Sequence, residues 1–140
     1  MIVRFLILAI MGMMLSSTVW AAGDKLLIED AYVRLLSTDT MARGAYMRIT
    51  NLTHERWIMT RAKAVAYEKT GIYEIVTVNG KRKVKKRKYV VINPEETIEF
   101  KPDGLQLLLM NPVRRDTRKK FPITLYFRKH SPMLVRFNAR

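Results

Sequence analysis

"FPITLYFRKHSPMLVRF", residues 121–137, reads with a period of two. Phe121, Ile123, Leu125 and Phe127 fall on one side, and Thr124, Tyr126 and Arg128 on the other. Past Ser131-Pro132 the alternation resumes with Met133, Val135 and Phe137. Successive side chains of a strand point to opposite faces, so each run is a strand with one buried face, and the Ser-Pro stretch turns the chain between them.

The same period recurs upstream. "GAYMRITNL" sets Ala45, Met47 and Ile49 against Tyr46, Arg48 and Thr50, and "ETIEFK" sets Ile98 and Phe100 against Thr97, Glu99 and Lys101. "LLIEDAYVRLL" is a further strand-like run, residues 26–36. Turn chemistry separates these runs at Asn51, Asn79-Gly80, Asn93-Pro94, Pro102-Asp103-Gly104, Asn111-Pro112 and Ser131-Pro132. Short strands at this spacing make an all-β chain, a β-sandwich or small barrel, with no repeat, linker or second domain.

The first residues set the compartment. "MIVRFLILAIMGMMLSSTVWAAG" carries one early cation, Arg4, then an apolar stretch, then small residues. This is the pattern of a secretory signal peptide, residues 1–21, cleaved after Ala21 or Ala22, an uncleaved anchor being the alternative. Residues 22–140 then form one domain in a periplasmic or secreted protein. No transmembrane anchor is expected in the mature chain. The sequence has no cysteine, which excludes disulfides, thiolate metal sites and cysteine nucleophiles. Removing Arg4 from the 26 basic residues leaves 25 against 12 acids, a mature charge of about +13 that favours anionic partners.

That charge is concentrated. In "VNGKRKVKKRKYVVI", residues 78–92, seven cations fill the positions Lys81, Arg82, Lys83, Lys85, Lys86, Arg87 and Lys88, with Val84 between them. Asn79-Gly80 signals a two-residue type I′ turn. Its register pairs Val78 with Lys81, Thr77 with Arg82, Val76 with Lys83, Ile75 with Val84 and Glu74 with Lys85. The lone valine meets an apolar partner and the lone acid a lysine, pairs worth about 0.2–1 kcal/mol each. Neither face of the return strand could be buried without burying charge, so a basic β-hairpin should protrude, touching the domain only from Tyr73 and Tyr89 inward. Arg114, Arg115, Arg118, Lys119 and Lys120 form a second cluster.

Three stretches, residues 28–51, 92–112 and 119–137, together resemble the periplasmic copper chaperones of the PCuAC type. The resemblance runs in order over nearly the whole mature chain, and implies a cupredoxin-like β-sandwich. It also implies Cu(I) carried by histidine and methionine: a histidine in a Leu-His-Glu-like strand, a methionine downstream and a closing His-x-Met strand. Here "VAYEKT" puts Tyr67 at the histidine, "GLQLLLM" puts Gln106 and Leu108 at His-x-Met, and the family spacing puts Val84 or Lys85 at the middle methionine. None of these is a soft donor, so no cofactor is expected, copper(I) being the family-implied alternative. Met110 shares a strand face with Gln106 and Leu108, and is the one thioether available there.

Met41, Met47 and Met59 are scattered, and His54 and His130 each sit in a turn, where a solvated histidine is the plain reading. No His cluster, phosphate loop or serine elbow supports catalysis, and Glu95-Glu96 reads as the solvated start of a strand. Asn51-Leu52-Thr53 matches an N-glycosylation acceptor, which the bacterial context of the family devalues. The resulting expectation is a non-catalytic binding or assembly module whose basic residues meet a membrane surface, lipopolysaccharide or an acidic protein. The alternative role of those charges is to keep an edge strand solvated and unpaired. Nucleic acid is disfavoured, because tyrosines flank the run without interleaving.

Overall fold

The computed structural model describes residues 26–113 and 118–140. The expected signal peptide, Arg114 and Arg115 lie outside them. The described chain is built from ten strands, β1 (Leu26–Leu35), β2 (Arg43–Asn51), β3 (Trp57–Ala64), β4 (Tyr67–Val78), β5 (Lys81–Lys86), β6 (Val90–Ile92), β7 (Thr97–Phe100), β8 (Leu105–Pro112), β9 (Lys120–Phe127) and β10 (Met133–Ala139). They form one hydrogen-bonded sheet in the order β5-β4-β8-β7-β2-β1-β10-β9-β3-β6.

Consecutive strands β3 and β4 stand near opposite ends of that order, yet only Val65 and Ala66 join them. Two residues cannot span a flat sheet of this width, so the sheet curls until its two halves face each other. The alternation read from the sequence fills the space between. Ile123, Leu125, Phe137, Ile49, Met59, Leu107 and Leu109 are fully buried, with Phe121, Phe127, Met47 and Phe100 nearly so. Met47 and Met59 are therefore core side chains. In the C-terminal hairpin, Leu125 pairs with Met133, Ile123 with Val135 and Phe121 with Phe137.

The Asn-Gly turn forms as expected. Asn79 and Gly80 both have positive φ, 52° and 76°, and the pairs run from Val78 with Lys81 to Glu74 with Lys85. One detail differs. Glu74 lies opposite Lys85 but bonds to Arg87, whose Nη1 is 2.6 Å from its Oε2. Arg87 follows the end of β5, where its N donates to Ile72 O at 2.8 Å, and its longer side chain reaches the carboxylate diagonally.

Asn51 is wholly buried at the end of β2. Its Nδ2 donates to the carbonyls of Glu55 at 2.7 Å and Ile92 at 2.9 Å. Its Oδ1 accepts from the backbone N of Thr53 at 2.9 Å and from Thr53 Oγ1 at 2.7 Å. A side chain so engaged offers no nitrogen to a glycosyl group. Replacing it with alanine strands several buried groups at once, and a loss of about 3 kcal/mol or more is expected by urea unfolding.

Candidate functional site

Two of the positions at which the resemblance implies metal ligands, Gln106 and Leu108, lie on the face of β8 turned away from the core. Gln106, Leu108 and Met110 alternate with Leu107 and Leu109, which are buried inside. In register, Leu108 stands between Gly71 of β4 and Gly44 of β2. Both glycines are needed there. A Cβ at Gly44 would collide with the ring of Tyr46, and one at Gly71 with the ring of Tyr73. Each tyrosine thus lies over the glycine two residues before it on its own strand.

Tyr46 is almost fully buried although it points away from the core. Its hydroxyl donates to Gln106 Oε1 at 3.3 Å, and its ring meets that of Tyr32 at 5.1 Å. Tyr32 in turn lies under the Arg140 guanidinium, 4.2 Å from the ring centre, which also bonds Asp30 at 2.8 Å. Burial pushes the Tyr46 phenol above its ordinary value; Arg34 opposes this, while Tyr32 and Asp103 reinforce it. Gln106 is therefore held by a neighbouring side chain on a face that tyrosines cover.

The structure separates residues that the family resemblance placed together. The cross-strand partner of Gln106 is Tyr73, not Tyr67. Tyr67 pairs with Pro112 and is buried with the core, six residues or roughly 20 Å along β4 from Tyr73. Val84 and Lys85 lie on the exposed return strand, and Val84 pairs with Ile75, on the same face as Tyr73. The sequence holds the signal that finds Tyr73: the hairpin register that pairs Ile75 with Val84 places Tyr73 one step further along that face.

Neither histidine joins Met110. Met110 lies just past Leu109, which pairs with Arg43 at the start of β2, whereas His54 follows Asn51 at its end. His54 and His130, 76 residues apart in sequence, instead line one cleft of about 1000 Å³ between β1 and β10, with Leu26, Ile28, Trp57, Met133 and Val135. The cleft forms because the parallel pair β1–β10 is in register only at Tyr32–Val33 with Asn138–Ala139. His130 stacks on Trp57, centroids 3.7 Å apart, and its Nε2 is 3.7 Å from Glu55. No group of three or more His, Asp or Glu side chains suited to a metal ion occurs among the described residues.

The basic residues also divide. Every residue of β5 is exposed. β4 pairs with β8 as far as Glu74–Leu105, and Ile75 N bonds Gly104 O at 3.1 Å; beyond this, among the described residues, the backbones of β4 and β5 pair only with each other. Arg82 binds Asp103 at 2.7 Å, while Lys81, Lys83, Lys85 and Lys86 form no ion pair among the described residues. Arg118, Lys119 and Lys120 lie past the far end of β8, roughly 25 Å away, so these three residues and the hairpin are separate surfaces.

Residues 26–139 match a family model described as "Putative lipoprotein LpqE-like". Among solved structures, the apo PCuAC domain from PmoF1 is 16% identical with a TM-score of 0.68, over 84% of this chain and 95% of that one. The copper-bound PCuAC domain from PmoF2 is 15% identical with a TM-score of 0.66, over 84% and 94%. Apo-DR1885 from Deinococcus radiodurans is 18% identical with a TM-score of 0.61, over 82% and 78%. No curated protein is significantly similar in sequence. The fold is that of PCuAC domains, a cupredoxin-like sandwich.

The neutral, buried Tyr46 phenol contributes stability that is fully present below pH 10.0, its ordinary pKa, and is lost as pH rises through its higher folded pKa. In alkaline unfolding series the wild type is expected to lose stability above pH 10 more steeply than Tyr46→Phe.

Proposed function

The chain belongs to the LpqE-like family, and on that footing we propose that it is an exported, non-catalytic binding or assembly module on a copper-chaperone scaffold. In this reading the soft ligands for Cu(I) have been replaced. The observation that supports it most is the outer face of β4, β5 and β8. There Tyr73, Val84, Gln106 and Leu108 supply no imidazole or thioether, and Tyr46 holds the Gln106 amide. Cu(I) is a soft ion that selects thioether, thiolate and imidazole over amide, phenol or alkyl groups.

The copper of the PmoF2 structure belongs to that domain. The alternative for this chain, a Cu(I) carrier using Met110 with a histidine, would require groups at opposite ends of β2 to meet. Export to the periplasm or the medium rests on the leader-like first residues and on the lipoprotein description of the family. Among the described residues, no helix is long and apolar enough to cross a membrane. The hairpin supplies the binding surface in this proposal. Its lysines would meet an anionic partner, with affinity that falls steeply as salt is added.

Titration of the mature protein with Cu(I) against a competing chelator tests the proposal. The expected result is that the chelator keeps the metal at equal concentrations. Transfer of one equivalent to the protein from a chelator of sub-nanomolar affinity would overturn it.

A further inference from the structure

The cleft beside Trp57 is walled by the backbones of two strands. Before Tyr32, β1 pairs with β2 on one side, and before Asn138, β10 pairs with β9 on one side. On their other sides, among the described residues, these stretches pair with no strand. A bulge opens the gap. Between Glu29 and Tyr32, β1 has two residues where β2 has one, and Asp30 there has a φ of 50°. Such a bulge bends its strand, so the first half of β1 diverges from β10. Arg140 fixes the point of divergence: its N donates to Val33 O at 2.9 Å, and its guanidinium binds Asp30 at 2.8 Å.

In an antiparallel pair, every second residue turns its N–H and C=O away from its partner. Residues 26–29 of β1 and 133–137 of β10 therefore present two rows of backbone donors and acceptors to the gap. The space between is lined by the apolar side chains of Leu26, Ile28, Trp57, Met133 and Val135.

We propose that the gap receives a strand from another protein: an extended, acidic segment with apolar residues at alternate positions, inserted between β1 and β10. The walls name the occupant. Two rows of unpaired peptide groups at the strand repeat are matched by a third strand, and not by an acyl chain or a compact ligand. Because β1 and β10 are parallel, one inserted segment can run antiparallel to both, the more stable pairing. Its inward side chains would meet Trp57 and Val135, and its outward ones would pass Arg136. Arg136 is exposed and forms no ion pair among the described residues, which suits a carboxylate at that place. The chain's net charge of +14 favours the same partner. The gap shares no residue with the basic hairpin or with the face of Gln106 and Leu108, so the two readings stand or fall separately.

Amide hydrogen exchange of the mature protein, free and with a synthetic peptide that alternates valine and glutamate, tests this. In the free protein, every second amide of residues 26–29 and 133–137 is expected to exchange fast. With excess peptide these amides should be protected about tenfold or more. The fluorescence of Trp57, the one tryptophan outside residues 1–21, should change in parallel. The same peptide methylated on every second peptide nitrogen should bind about tenfold more weakly or worse. Arg136→Glu, at an exposed position, should weaken the valine–glutamate peptide by about tenfold and favour a valine–lysine one.

Uniformly slow exchange in the free protein would mean that the gap is already closed, and would overturn the proposal. So would the absence of protection at about 1 mM peptide. Protection that grows with protein concentration in the absence of peptide would assign the gap to a second copy of this chain. Binding of dodecanoate in place of the peptide, without amide protection, would assign it to a lipid. Either result refutes the inserted strand.

Discussion

One buried asparagine joins the two halves of this sandwich. The chain crosses between them several times, among them in residues 52–56, from β2 to β3, and in residues 93–96, from β6 to β7. Asn51 holds both crossings. Its side chain binds the carbonyls of Glu55 and Ile92, its backbone N donates to Glu96 O at 2.9 Å, and its carbonyl accepts from Glu95 N at 2.8 Å. Thr53 extends the cluster by accepting from Trp57 Nε1 at 3.0 Å. A buried amide is costly unless every donor and acceptor is used, so each crossover helps to satisfy the side chain that holds the other.

With the layers fixed in this way, the remaining strands divide their labour. Inward residues of every strand except β5 make the core, and the outward face of β8 is left free of that task. Here the face has been closed by packing, with Tyr46 and Tyr73 laid over Gly44 and Gly71, and Gln106 held by a hydroxyl. The hairpin beyond it contributes nothing to the core, which is why it can hold so many cations at no cost in desolvation.

The legibility of the sequence followed from the range of the physics involved. Local rules sufficed for the strand faces of Phe121–Phe127 and for the hairpin register, because alternation and a φ > 0 pair at Asn79-Gly80 determine them within a few residues. Burial of Tyr46 was not readable, since it depends on Tyr32, Gln106 and a glycine two residues away, on three different strands. That Tyr67 stands apart from Gln106 was not readable either, because sequence similarity fixes order better than register. His54 and His130 each read as loop residues, and only the splay of β1 from β10 puts them in one cleft.

In the proposed reading, the ligand frame of a copper carrier persists here while the donor groups are gone. The measurement that bears on this most closely is the Cu(I) affinity of a graft, Tyr73→His, Val84→Met, Gln106→His and Leu108→Met, set beside that of the unaltered protein. The graft is expected to bind about a hundredfold more tightly or better, as imidazole and thioether return to one face. Equal affinities for the two proteins, whether both tight or both absent, would contradict that reading.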